Sequence, residues 1–185
     1  MHTLTIPLPL AGYTLRAAGP ADAESLLAYQ VRNRDRLRLW EPLREDSFYT
    51  VENTQRRLAS LERQAADHMG LYLLVRRAMD DYIVGECNFS NIVRGPFQAC
   101  YLGFSVDGEE EGRGLMYAAL QVSIDHVFRE LKLHRIMANH RPENTRSETL
   151  LARLGFSKEG LARRYLKING DWADHVLTAR INESD

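Results

Sequence analysis

The sequence predicts an α+β fold, a mixed α/β chain in which a mostly antiparallel twisted sheet is covered by helices. Three observations carry that reading. The middle of the chain holds three successive aromatic and β-branched runs, "GLYLLVRR", "YIVGECNFS" and "QACYLGFSV". The turn-like stretches between them, "AMDD" and "IVRGPF", are rich in Asp, Gly and Pro, as joins between antiparallel strands are. Helix-period stretches flank the block on both sides, and strands alternate with helices only in the second half, which disfavours a doubly wound parallel sheet.

Taken in order, "YTLRAA" from Tyr13 is a short strand. "DAESLLAYQVRNR" from Asp22 is a helix with Leu26, Leu27 and Val31 on one side. A second helix is expected from a Thr50 N-cap to about Ala66, its apolar face being Leu58, Leu61 and Ala65. After the three strands, Met116, Leu120, Val127 and Leu131 mark the buried stripe of a third helix. "HRIMANH" then reads as a strand, Asn144 to Leu154 as a helix closed by Gly155, and the remainder as a hairpin around Asn169-Gly170. The total is about seven strands and about four helices in one domain spanning residues 1–185, with no repeat or linker to divide it.

Composition bounds the function. With 44% hydrophobic residues, 26% charged residues and a net charge of -1, the chain is an average globular protein, and a polyanion-binding surface is not expected. The alternating Arg32, Arg34, Arg36 and Arg38 lack interleaved aromatics, so a solvated face is expected there rather than RNA contact. Cys87 and Cys100 lie in strand-like runs without CxxC spacing, which speaks against a disulfide framework or zinc site and fits a reducing cytosol. His134 and His140 have no HExxH or Cys partner, and no metal is expected. The start, "MHTLTIPLPLAGY", has neither a basic n-region nor a long apolar core, and no segment has the length of a bilayer span. A cytoplasmic protein, monomer or homodimer, without membrane contact, is the expectation.

The stretch that carries chemistry is "SVDGEEEGRGLM", residues 105 to 116. Strand, turn and helix start follow one another here, and a helix N-terminus offers free N–H groups and partial positive charge to an anion such as phosphate. Gly112 and Gly114 remove Cβ atoms that would keep the anion away, and Arg113 adds a forked cation. Gly-x-Gly alone is weak evidence, since turn geometry also selects glycine. A Walker loop lacks its Gly-Lys-Ser/Thr, and the dinucleotide fingerprint lacks a third glycine, Tyr117 standing in its place. The acidic triplet Glu109, Glu110, Glu111 is expected to be a solvated loop.

Together with "WEPLREDS", "NFSNIVRG", "LHRIMAN", "N-x-x-S" at Asn144 and Ser147, "LLARLGF" and "NGDWADHVLTA", this unit resembles the GCN5-related N-acetyltransferases, and within them the Rim type that acetylates N-terminal amines of ribosomal proteins. The resemblance covers nearly the whole chain, with Glu109 in the first place of the family's Q/R-x-x-G-x-G motif. It implies a sheet splayed between its fourth and fifth strands, and acetyl-coenzyme A as cosubstrate. The pyrophosphate would be held by the backbone N–H groups of Glu111, Gly112, Arg113, Gly114, Leu115 and Met116. Were the main chain to bind the phosphates, the Glu side chains could point into water. The pantetheine arm would bond like an added strand to Phe104, Ser105 and Val106, with Asn139 and Asn144 also on the cofactor and Ser147 as proton donor to the sulfur. The bland reading of the last pair is a helix cap and a first-turn residue.

Acetyl transfer needs a neutral amine, a site for the oxyanion and a proton for the leaving thiolate. An α-amino group, titrating near 8, needs only a weak base, whereas a lysine near 10.4 needs a strong one. Some Rim-type relatives carry a carboxylate before the hairpin tyrosine, but here Arg164 precedes Tyr165. Glu86, a carboxylate in an otherwise apolar strand, is the substitute base, with an exposed edge or a salt bridge as its alternative. Asp174 and His175 form a further pair, read as structural. Trp40, Glu41, Asn88 and Tyr165 are expected on the acceptor, with Glu41, Glu45 or Asp46 attracting its ammonium. Trp40 has core closure as its alternative. The acceptor is expected to be a protein N-terminus, that of a ribosomal protein such as S5 by resemblance; a small amine, or a non-catalytic coenzyme A-binding sensor, are the rivals.

Overall fold

The computed structural model describes residues 4–184, and among them eight strands form one sheet in the order β1-β2-β3-β4-β5-β6-β8-β7. The strands are β1 (Thr5–Ile6), β2 (Tyr13–Ala17), β3 (Leu71–Arg77), β4 (Tyr82–Val93), β5 (Ala99–Val106), β6 (Arg135–Met137), β7 (Ser157–Ile168) and β8 (Asp171–Ile181). The helices are α1 (Ala23–Leu37), α2 (Val51–Ala66), α3 (Leu115–Glu130) and α4 (Thr145–Arg153). Only the β5–β6 pairing is parallel. The expected mixed fold is thus present, with a two-residue edge strand, β1, added to the expected seven.

β3 shows why the sheet is covered on both faces. Its side chains alternate: Leu71, Leu73 and Val75 enter a core shared with α3 and α4, while Tyr72 and Leu74 enter a second core with Leu26 and Tyr29 of α1 and Leu58 of α2. α2 starts where expected, the Thr50 side chain accepting the N–H of Asn53. α1 corrects the sequence reading. Its buried face is Leu26, Tyr29, Asn33 and Leu37, whereas Leu27 is only half-buried and Val31 is exposed. Tyr29 and Asn33 are drawn inward because each finds a polar partner across the layer, Ser105 Oγ at 2.8 Å and Asp107 Oδ2 at 3.4 Å.

The sheet parts where the family resemblance implies. β6 meets β5 only at Ala99↔Arg135, Cys100↔Ile136 and Tyr101↔Met137, so β5 runs on from Leu102 to Val106 without a strand on that side. Beyond Met137 the chain turns to β8 instead, Ala138 N donating to Thr178 O and His140 bridging Val176. Asn169 and Gly170, both at positive φ (47° and 94°), make the two-residue turn of the β7–β8 hairpin. No helix among the described residues is long and apolar enough to cross a membrane. Cys87 and Cys100 are buried and free.

Candidate active site

The wedge between β5 and β6 opens into two cavities. The larger, of ≈ 870 Å³, runs along Phe104, Ser105 and Val106 to Glu111, Gly112, Gly114, Leu115 and Met116, and is closed on its far side by the first turns of α4. At its end stands the start of α3. Gly114 is the N-cap residue, at φ 76°, and makes no side-chain cap; the first N–H groups of α3 therefore have no capping partner. Gly112 takes φ 75°, and a Cβ built on either glycine meets nothing within 4 Å. Both glycines are required by their left-handed backbone, and both border open space. A cradle of bare N–H groups at a helix N-terminus fits a diphosphate, and the groove along β5 fits an extended arm attached to it.

The acidic triplet is not a solvated loop. Only Glu109 faces water; Glu110 is buried, accepting from Tyr13 Oη at 2.8 Å and Arg113 Nη1 at 3.1 Å. Glu111 accepts from Arg36 Nη1 at 2.6 Å and from Arg146 of α4. The acids are thus neutralised by arginines rather than by screening, and the Arg113 guanidinium is spent on Glu110 instead of facing the cavity. The arginines that line the cavity are Arg36, Arg146 and Arg153. The alternating arginine run of α1 is likewise engaged, Arg32 with Asp107 at 2.7 Å, Arg34 with Asp46 at 2.9 Å, and Arg36 also with the carbonyl of Val106. Sequence reasoning missed Arg36 and Arg146 because their partners are distant in the chain.

The second cavity, of ≈ 410 Å³, lies on the α1–α2 side and is lined by Tyr72, Glu86, Asn88, Asn139, His140 and His175, among others. The two cavities share Leu37, Trp40, Glu41, Phe104, Asn144 and Ser147, so they meet at that point. Asn144 caps α4, its Oδ1 accepting Ser147 N–H at 3.1 Å, which fixes Ser147 at the junction. Among the described residues nothing bonds the Ser147 hydroxyl, so it is free to donate a hydrogen bond into the cavities. The cap is thus present, and it leaves the Ser147 hydroxyl available. Trp40 is at the junction and more than a third exposed, with Arg141 beside its ring; it is no core residue.

Glu86 faces the second cavity as expected, but both its oxygens are engaged, by Tyr72 Oη and by Ser105 Oγ at 2.9 Å. Burial and the neighbouring Glu86 hold the Tyr29 and Tyr72 hydroxyls well above the usual tyrosine range, so both stay protonated donors. Burial first, and Glu86 second, push the Glu41 carboxyl up to about 7. Asn139 lines the second cavity rather than the groove along β5 where the resemblance implied it, its Oδ1 accepting Thr178 N–H at 3.2 Å. Tyr165, expected on the acceptor, lines neither cavity; it packs at a tilt on His175 and contacts Tyr101 Oη at 3.5 Å. Asp174 is structural, accepting the N–H of Arg164 at 2.7 Å. Burial lowers the His175 imidazole. No group of three or more His, Cys, Asp or Glu among the described residues is placed to hold a metal ion.

The loop after α1 is tied to the far side of the sheet by two hydrogen bonds. Asn169 N–H of the hairpin turn donates to Glu41 O at 2.9 Å, and Arg141 Nη1 to Leu39 O at 3.0 Å.

Comparison with known proteins agrees with this geometry. The model of the acetyltransferase (GNAT) domain matches residues 13–157. The chain is 44% identical over 165 residues to a [ribosomal protein uS5]-alanine N-acetyltransferase of Escherichia coli, covering 89% of this chain and 85% of that protein. Among solved structures, a ribosomal-protein-S5-alanine acetyltransferase from Vibrio fischeri superposes with a TM-score of 0.93 at 40% identity, over 97% of both chains. RimJ of Mycobacterium smegmatis, in complex with CoA-disulfide, gives 0.88 at 30% identity over 98% of this chain and 88% of that one.

Proposed function

The chain belongs to the GNAT acetyltransferase family, and from that premise we propose that its acceptor is the α-amino group of a protein N-terminus beginning with alanine, that of ribosomal protein uS5. The activity itself is acetyl-coenzyme A-dependent N-acetylation. The observation that supports the acceptor is the 44% identity to the uS5-alanine enzyme over 89% of the chain. The cavity on the acceptor side agrees with it, because its floor carries the carboxylates Glu41 and Glu86, which suit a cationic amine.

The cosubstrate supplies an acetyl thioester. The N–H groups from Glu111 to Met116 hold its diphosphate, and Gly112 and Gly114 leave room for it. β5 aligns the arm from Phe104 to Val106, although the Val106 carbonyl is already taken by Arg36. Asn144 holds α4 in register, and Ser147 gives a proton to the departing sulfur. A main-chain N–H of the open β5 edge meets the developing oxyanion. Trp40 walls the junction and excludes water.

Mass spectrometry of cellular N-termini with and without the protein tests the acceptor. Loss of acetyl from uS5 is the expected result. Unchanged uS5 acetylation, with turnover of amino acids or polyamines by the purified protein, refutes the peptide acceptor in favour of a small amine.

A further inference from the structure

We infer that the Glu41 carboxylate is the general base of the acyl transfer, taking a proton from the acceptor ammonium where the two cavities meet. Of the six residues that line both cavities, Leu37, Trp40, Glu41, Phe104, Asn144 and Ser147, Glu41 alone can accept a proton near neutrality. Ser147, which gives the proton to sulfur, lines both cavities as well. His140 and His175 line only the acceptor cavity, away from the thioester.

The two carboxylates that face the acceptor differ in what they have left to offer. Glu86 already accepts from Tyr72 and Ser105. The Glu41 carboxylate accepts no hydrogen bond from any described residue, while its own main-chain carbonyl is pinned by Asn169. Its backbone is fixed and its oxygens are vacant, as a base awaiting an N–H requires.

The charges around Glu41 set its basicity. Burial and Glu86 raise its titration to about 7, against the opposing pull of Arg44 and Arg36. The other cations of the cavity are committed elsewhere: Arg34 to Asp46, Arg57 to Phe48 O and Gln30, Arg141 to Leu39 O and Glu143. The histidines use Nδ1 on main-chain carbonyls, of Arg141 and Ala173. Glu86 is thus a positioning residue, whose charge adds to burial in raising the titration of its neighbour.

The proton count closes. The ammonium loses two protons in all: one passes to Glu41 and then to solvent, freeing the lone pair that forms the C–N bond. The second leaves the nitrogen as the C–S bond breaks and ends on the sulfur through Ser147. No oxidant, metal or further reactant is needed.

The inference rests on acyl transfer and not on which amine is accepted, so the assay uses whichever amine the wild-type protein turns over, an alanine-ended peptide first and a polyamine or amino acid otherwise. The kcat of the wild type is expected to rise with pH through a limb near 7 and then level. Glu41→Gln is expected to lower kcat at pH 7 by about 10-fold for an α-amine titrating near 8, the neutral fraction that remains without a base, to lose that limb, and to climb on through the amine's own titration. Its acetyl-coenzyme A affinity, by calorimetry, stays within about twofold of wild type on the ratio that defines intact binding; should it not, Glu41→Asp is read instead, expected to keep the limb at reduced rate. Glu86→Gln is expected to shift the limb to lower pH. A Glu41→Gln protein within about threefold of wild-type kcat, whether its acceptor KM rises or not, overturns the inference, as does a limb that survives both Glu41→Gln and Glu86→Gln unmoved.

Discussion

Replacing Gly114 by alanine separates a glycine chosen for turn geometry from one chosen for a ligand. Gly114 sits at φ 76°, and the added Cβ meets nothing within 4 Å in the protein itself. The folded-state penalty is therefore only the left-handed strain, roughly 1–2 kcal/mol, and a stiffer unfolded chain offsets up to about 1 kcal/mol of it. A net loss of about 1 kcal/mol lowers the melting temperature by about 2–4 °C at this size. Binding should suffer more. The methyl group enters the space between the cradle and the incoming diphosphate, and one lost N–H bond to a charged oxygen is worth about 1.5–3 kcal/mol. That is a rise of roughly 10- to 150-fold in Kd. Calorimetry with coenzyme A measures it, and an acetyl-pantetheine thioester without phosphates is the control, its turnover expected to be unchanged. If Gly114→Ala melts a few degrees lower yet binds coenzyme A within about twofold of wild type, the cradle argument fails and turn geometry alone explains the glycine.

Ser147→Ala is expected to lower kcat by about 10²-fold while coenzyme A affinity holds, as steady-state rates and calorimetry will show; an equal loss of affinity would assign Ser147 to binding. Asp22→Ala removes one of the two carboxylates that stand 2.6 Å from the fully buried Arg76, Asp81 being the other, and is expected to destabilise by about 1–3 kcal/mol in urea unfolding. Glu111→Ala frees Arg36 and Arg146 together; the salt dependence of coenzyme A binding should steepen, because two cations then face the phosphates unneutralised.

What local sequence could tell was decided by distance along the chain. β3, β4 and β5 were legible because aromatic and β-branched runs end at Asp, Gly and Pro turns, and α2 and α4 because Thr50 and Asn144 announce their caps. α1 was misread on its face. Leu27 and Val31 have the right period, but Tyr29 and Asn33 are buried by Ser105 and Asp107, more than seventy residues away. Two-residue β1 is too short to leave a pattern. The same holds for the site. Gly112, Gly114, Asn144 and Ser147 could be found from spacing and resemblance, whereas the state of Glu110 depends on Tyr13, 97 positions distant. No window of sequence contains both.

Glu41 gives the sharpest test of whether the site stores unfavourable electrostatics for use. A carboxyl held at about 7 in the fold, against 4.5 when exposed, binds more protons folded than unfolded between those values. Stability must then fall as pH rises through that window and level above 7. The displacement corresponds to about 3 kcal/mol. Glutamine at 41 cannot ionise, so Glu41→Gln is expected to match the wild type in stability below pH 4 and to exceed it increasingly from pH 4.5 to 7, by up to about 3 kcal/mol. Urea unfolding at pH 4, 6 and 8 measures the difference. A gap that stays flat with pH means that Glu41 ionises freely in the folded protein, and both the burial and the repulsion from Glu86 argued for it are then wrong. A gap that opens as expected, in a variant that has also lost its turnover limb, joins the two effects in one atom pair: the carboxylate that weakens the fold is the one that deprotonates the amine.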